Sequence, residues 1–287
     1  MYKVTRKYGL WGQDIPLPPL VCTDATLVSL NQISGVSSSD IARSQCSLYA
    51  GTRLYNLDQY LEPINQALMN QGDIDQQSIA GAVSTGTHGT GADLHCISAY
   101  VEDFELLTAA GEILNCSCTE NPEIFAAGRV SLGSLGILTK INMQNRPRFK
   151  LKEHIQLCAV EDMMLFIQQW KHQHRHIECF VFSHAEKLML KTLDETDEEL
   201  QPRKENYPSE DMLLTICSEL IKNVPSLNPY VQKLLGTFVK PTTAVDWSSK
   251  IFPTVRNTKF NEMEYQIPVD HGLDCLEEVL AALRHHK

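Results

Sequence analysis

The run Gly72-Asp-Ile-Asp-Gln-Gln-Ser-Ile-Ala-Gly-Ala-Val-Ser-Thr-Gly-Thr-His-Gly-Thr-Gly91 is rich in small and hydroxylic side chains, above all from Ser78 on, with glycines at 72, 81, 86, 89 and 91. Backbone N–H groups in such a run approach a ligand closely, and glycine takes positive φ without a Cβ penalty. The chemistry this favours is cradling. The plain alternative is a Gly/Ser/Thr-rich surface loop or linker, but a linker is more polar and does not interleave Ile79, Ala80, Ala82 and Val83 with its glycines. Other reactive patterns are weaker. His172, His174, His176 and Cys179 have no second ligand pair at finger-like spacing, so the reading there is a solvated basic helix end. His88-Gly-Thr-Gly91 has no G-x-S-x-G nucleophile elbow to serve, and neither G-x-x-x-x-G-K-[ST] nor G-x-G-x-x-G occurs. Hydrolase, nucleoside triphosphate and NAD readings are set aside.

The elements that must position the run can be read around it. Short alternating apolar stretches at 26–36 and 46–50, bounded by Ser/Gly clusters, read as strands. Leu54, Leu57, Leu61, Ile64 and Leu68 recur every three or four residues, which predicts one helix with Gly72 just past its end, as a C-cap. Val101–Thr108 and Glu112–Leu114 read as a hairpin turning at Gly111, Asn121-Pro-Glu123 starts a short helix ending near Gly128, and residues 137–143 read as a strand. Arg146-Pro-Arg148 marks a boundary, where the Gly/Ser-rich character stops and amphipathic helices begin. Helical stripes follow at Met163, Met164, Ile167 and Trp170, at Met212, Leu213, Ile216, Leu220 and Ile221, and at Leu273, Leu276, Leu280 and Leu283. The acidic stretch 193–206 reads as an exposed loop rather than a metal site.

Composition narrows the class. A chain of 287 residues with 43% hydrophobic and 21% charged content has room for two domains and a sizeable core. A formal net charge of −10 argues against nucleic acid, which needs clustered basic residues. No stretch reaches the ~18 to 20 apolar residues needed to span a bilayer, and the first seven residues are not followed by an apolar segment. Nine cysteines without regular spacing read as reduced thiols rather than a disulfide framework or zinc site. The expectation is a cytoplasmic protein, with peripheral membrane association left open and the oligomeric state unassigned.

Ser78-Ile-Ala-Gly-Ala-Val-Ser-Thr-Gly-Thr-His-Gly-Thr-Gly91 resembles the FAD-binding segment of the aldonolactone oxidase and alditol oxidase family, among the vanillyl-alcohol-oxidase-like flavoproteins. Val130-Ser-Leu-Gly-Ser-Leu-Gly-Ile-Leu-Thr139 resembles that family's second flavin-contacting segment, and Phe260-Asn-Glu-Met-Glu-Tyr-Gln-Ile-Pro268 a strand of its substrate domain. The resemblance implies an α+β fold of two domains: a PCMH-type FAD-binding domain over 1–147 and a cap domain, an antiparallel sheet with flanking helices, over 148–287. It implies FAD as cofactor, held by Gly72, Asp73, Ser78, Gly81, Thr85, Gly86, Thr87, His88, Gly89 and Ile137, with Glu264 toward a sugar-alcohol or lactone substrate and no metal. Gly81, Gly86 and Gly89 could instead serve turns only, Thr85 and Thr87 could bond their own backbone, and no residue is assigned as catalytic base.

In the reaction so implied, a sugar-derived alcohol or aldono-1,4-lactone delivers hydride to flavin N5, and the reduced flavin passes electrons to oxygen, the expected acceptor, or to another acceptor. Gly72 would leave oxygen a path to the ring. Family members also carry a Gly-Gly-His-Ser-like loop earlier, and a Glu-x-Arg pair with a lysine segment later, which nothing in this sequence matches. The expectation is a chain short at both ends, with non-covalent FAD; the alternative is a non-catalytic flavin-site remnant, or half of a split flavoprotein needing a second chain.

Overall fold

The structure, a computed structural model, describes residues 4–5, 27–204, 210–238, 240–254 and 263–285. The strands are β1 Val4–Thr5, β2 Leu27–Val28, β3 Val36–Asp40, β4 Gln45–Tyr49, β5 Gln66–Ala67, β6 Val101–Leu107, β7 Ile113–Ser117, β8 Ile137–Gln144, β9 Arg146–Pro147, β10 Lys150–Ala159, β11 His176–Phe180, β12 Lys187–Thr196 and β13 Thr242–Trp247. The α-helices are α1 Leu57–Leu61, α2 Ile79–Ser84, α3 Pro122–Gly128, α4 Met163–Trp170, α5 Glu210–Asn223, α6 Asn228–Phe238, α7 Ser248–Ile251 and α8 Gly272–His285. Among described residues, one compact unit runs through Phe149 and takes up the chain again from Trp247 to Thr254; the second runs from Lys150 to Asp246 and resumes in 263–285.

The first unit is built on a five-stranded antiparallel sheet in the order β3-β4-β8-β6-β7. Period-two alternation gives it one apolar face. Leu48, Phe104, Ile141 and Met143 pack there against Leu57 and Leu61 of α1 and Ile79, Ala82 and Val83 of α2. The opposite face carries a polar row in register, Ser47 opposite Asn142 and Asp103 opposite both Asn142 and Ser117. Cys46 lies on the apolar side, where burial pushes its thiol up to about 11 and leaves it un-ionised at neutral pH.

The second unit is a four-stranded sheet in the order β11-β12-β10-β13 with α4, α5, α6 and α8. Leu188 and Leu190 of β12 form its core with Met163, and Phe166, Ile167, Trp170 and Leu276 pack against them. A buried carboxylate on β10, Glu153, takes two hydrogen bonds from Arg203 at 2.9 and 2.5 Å and lies 4.0 Å from buried Lys191. Pairing of this kind is what lets charges stand in a sheet interior.

Several expectations need correction. The hairpin, the short helix at Pro122 and the strand after Gly136 form where read, but 26–36 does not make one strand: beyond β2 the chain turns, and the paired strand begins at Val36. The helix from Leu54 to Leu68 is broken. It runs as a 3-10 turn, α1 and a second 3-10 turn with Pro63 in its first positions, and stops at Asn65 in a left-handed conformation (φ 52°), after which β5 pairs with β9. Apolar spacing showed the buried side and was blind to the proline and left-handed stop. Gly72 is therefore not a helix cap.

Residues 193–196 lie in β12 rather than in an acidic loop. Asp194 accepts from the Arg175 N–H at 3.0 Å and meets His174 at 2.6 Å, and Glu195 pairs with Arg175 at 3.0 Å, so basic neighbours hold the acidic side chains in a sheet. The solvated helix end expected at the histidines fails for His176, which is 1% exposed in β11. Among the described residues no group of His, Cys, Asp and Glu is placed to hold a metal. Residues 263–268 are irregular rather than strand, with Met263 and Tyr265 exposed; residues 260–262, like the first strand-poor stretch up to residue 20 apart from β1, lie outside the described residues.

Candidate functional site

The Gly72–Gly91 run folds as a strand-like segment, a two-turn helix and a returning loop. Its first part is tied to the chain before α1: the N–H groups of Leu54 and Tyr55 donate to the carbonyls of Gln77 and Asp75 at 2.9 and 3.0 Å, and the Arg53 guanidinium donates to the Gln76 carbonyl at 2.6 Å. Burial raises the Asp75 carboxyl above its ordinary value, the neighbouring charge of Asp73 adding to the shift and the Gln76 hydrogen bond and Lys250 opposing it. Ser78 caps α2, its hydroxyl accepting from the Gly81 N–H at 3.2 Å. Ile79, Ala82 and Val83 then sink into the core, and small side chains are what allow this helix to lie so close to the sheet.

The helix ends in a Schellman motif. Gly86 has φ +66°, its N–H donates to the Val83 carbonyl at 3.2 Å, and the Thr87 N–H reaches back to the Ala82 carbonyl at 2.9 Å. The turn reading thus accounts for Gly86. Thr85 gives its hydroxyl to the Gly81 carbonyl at 2.9 Å and lies 3.1 Å from the Thr87 hydroxyl, which donates to Gln77 Oε1 at 2.9 Å. His88 is exposed, with Nδ1 2.9 Å from the Gly89 carbonyl oxygen.

Gly72 and Gly89 are small for a different reason. A Cβ at Gly72 would lie 2.8 Å from the His88 carbonyl oxygen, and one at Gly89 would lie 2.3 Å from the Gln71 carbonyl oxygen. The two ends of the run are pressed backbone to backbone. Asn70 bridges them, its amide donating to the carbonyls of Thr90 at 3.2 Å and His95 at 3.4 Å. The Cβ position of Gly72 is thus occupied by its own chain. Asp73, at the start, is met by Thr254, whose N–H donates to the Asp73 carbonyl at 3.1 Å and whose hydroxyl donates to the carboxylate.

The second segment lies against the end of α2. Leu132 donates its N–H to the Ser84 carbonyl at 3.0 Å, and Val130 sits 3.5 Å from the Cβ position of Gly86. Leu132 has φ +52°, uncommon for a branched side chain, and is 76% exposed, with Val130 and Leu135 also exposed beside it. Ile137, half buried, opens β8 opposite Leu107. Glu264 is exposed in the irregular stretch of the second unit. Together these features present hydroxyls and small residues beside an uncovered apolar rim. An isoalloxazine needs that combination, a flat apolar face with a polar edge, and the residues present fit the group. Sequence reading missed Leu132, whose exposure no pattern announces, and Thr254, which carries no local signal.

The fold is that of PCMH-type FAD-binding flavoproteins: it is similar to a solvent-stable cholesterol oxidase (TM-score 0.65, 14% identity, covering 79% of this chain and 50% of that one) and to cholesterol oxidase from B. sterolicum (TM-score 0.60, 16% identity, 80% and 50%). Residues 12–117 match the model of an FAD binding domain, and the cofactor is FAD. The chain belongs to the D-arabinono-1,4-lactone oxidase family, whose model matches residues 141–287. Among curated proteins it is similar to L-gulono-1,4-lactone dehydrogenase of Mycobacterium tuberculosis (31% identity, covering 92% of this chain and 62% of that one). L-gulonolactone oxidase of Scyliorhinus torazame follows at 28% (91% and 60%), and D-arabinono-1,4-lactone oxidase of Candida albicans at 32% (65% and 34%). The chain spans about three-fifths of the length of the first two.

Proposed function

We propose that the protein oxidises a CH–OH carbon of a sugar-derived alcohol or aldono-1,4-lactone, with oxygen as terminal acceptor. The observation that carries this is the joining of the Schellman turn at Ser84–Thr87 to the exposed, left-handed Leu132 loop, in a chain of the lactone oxidase family. FAD, when bound, supplies the acceptor for the hydride. The chain's own residues bind and orient it: Ser78 and Gly81 start the short helix, Thr85, Gly86, Thr87 and His88 line its end, Gly72, Asp73 and Gly89 form the doubled backbone beneath, and Ile137 closes the second segment. We carry forward 1–147 as the flavin domain and 148–287, apart from the segment Trp247–Thr254 that packs with the first unit, as the substrate domain, with Glu264 toward the substrate. No described helix is long and apolar enough to cross a membrane, and the described cysteines are all free, which supports the cytoplasmic reading.

The test is anaerobic mixing of the flavin-loaded chain with L-gulono- and D-arabinono-1,4-lactone. Bleaching of the yellow flavin absorbance, and its rapid return on admitting air, is the expected result. A chain that keeps its flavin but is bleached by neither lactone would instead support a non-catalytic flavin-binding chain, or one half of a split enzyme.

A further inference from the structure

The returning segment that follows β13 is bound tightly to the first unit. The Ser248 N–H donates to the Phe149 carbonyl at 3.0 Å, Ile251 and Phe252 are buried, Phe252 meets Phe149 edge-on at 6.4 Å, and Lys250 Nζ lies 3.8 Å from Asp58. This segment delivers Thr254 to Asp73, 181 positions earlier in the chain. Two bonds from one residue, N–H to carbonyl and hydroxyl to carboxylate, fix both the backbone and the side chain of Asp73. A carboxylate's terminal torsion has broad minima, whereas a β-branched threonine holds its hydroxyl in few positions, so this bond narrows the range of the Asp73 carboxylate. On the other side the same segment is pinned by the contacts of Gly72 and Gly89 with the facing backbone. Asp73 is thus held from both sides, one of them distant in sequence.

We propose that Thr254 is a positioning residue of the FAD site, and that the segment from Trp247 to Thr254 completes a cofactor cradle whose other parts lie before residue 140. The proposal rests on the reading of 72–91 as that cradle. It also places part of the flavin site within residues 141–287, outside the portion that matches the FAD binding domain. Thr254 acts through Asp73 and not by touching the substrate. Loss of its hydroxyl takes one hydrogen bond from the Asp73 carboxylate without opening the core, since Ile251 and Phe252 remain to anchor the segment.

FAD titration of the stripped full-length chain tests this, with Thr254→Val, Thr254→Ser and Thr254→Ala beside the parent. Thr254→Val should weaken FAD binding about tenfold, equal to about 1.4 kcal/mol, and shift the bound-flavin absorbance, with the melting temperature of the stripped protein unchanged. Thr254→Ser should restore both. In an Asp73→Asn background Thr254→Val should have less than about a third of that effect, because the two changes share one interaction. Parent-like affinity and spectrum in Thr254→Val, or a loss in Thr254→Ser as large as in Thr254→Val, would overturn the proposal while leaving the cradle reading intact. Failure of the parent itself to bind FAD would overturn the cradle reading and the proposal together. If Thr254→Val melts markedly lower, the comparison passes to Thr254→Ser and Thr254→Ala: tighter binding by Ser supports the clamp, and equal binding overturns it.

Discussion

Gly89 shows how one position can be constrained by its own chain rather than by a ligand. Its Cβ would stand 2.3 Å from a carbonyl oxygen and 2.4 Å from Asn70 Oδ1, so Gly89→Ala must part the two ends of the run. The expected cost is about 2–3 kcal/mol of stability in the stripped protein, at the upper end for overpacking because backbone is involved. Gly86 differs. At φ +66° it needs a residue that tolerates the left-handed region, so Gly86→Asn should stay within about 1 kcal/mol of the parent and keep its flavin, while Gly86→Val should lose both. Chemical denaturation of the stripped proteins, followed by FAD titration, separates the two positions. Equal losses for Gly86→Asn and Gly86→Val would remove the Schellman explanation.

At the scale of elements, β6 and β8 are held by more than their ladder. Glu105 on β6 accepts from the Thr139 hydroxyl at 2.5 Å and from Lys140 Nζ at 3.0 Å, both on β8, and the Thr139 bond before all else holds its carboxyl below the ordinary value of 4.5. A lowered folded-state value means that this stability is present above about 4.5 and is lost as the pH falls through the lower value of the folded chain. Glu105→Gln should therefore cost about 1 kcal/mol at pH 7 and nothing at a pH where both forms are neutral. Urea midpoints across the acid range check this; a parallel offset at every pH would show that the carboxylate's charge is irrelevant.

For the whole molecule, cofactor and fold are linked. FAD at about a hundred times its dissociation constant should add about 2.7 kcal/mol to the stability of the unit that binds it, provided it has no affinity for the unfolded chain. Removing the flavin should lower the first melting transition and leave the second unit's transition in place, since the second unit has its own core about Leu188 and Leu190. Acid precipitation should leave the flavin in the supernatant, as expected of a non-covalent cofactor; yellow colour in the pellet would contradict this. Calorimetry of loaded and stripped protein reads both transitions.

Local spacing and wording determined a great deal. Small residues from Gly72 to Gly91 and the second segment to Thr139 announced the flavin family, period-two alternation gave the hairpin and β8, and Pro122 gave α3, because each is written within a few residues and acts over the same range. Tertiary structure decided what depends on partners far along the chain. Asn65 ended the helix that leucine spacing had carried to Leu68; Arg175 and His174 made strand of Asp194 and Glu195; and backbone contact with His88, rather than a helix end, set the smallness of Gly72. Thr254 is the extreme case. A threonine in an unremarkable stretch meets Asp73 only because Ile251 and Phe252 are buried in the first unit, and burial of that kind depends on what the rest of the chain has already built.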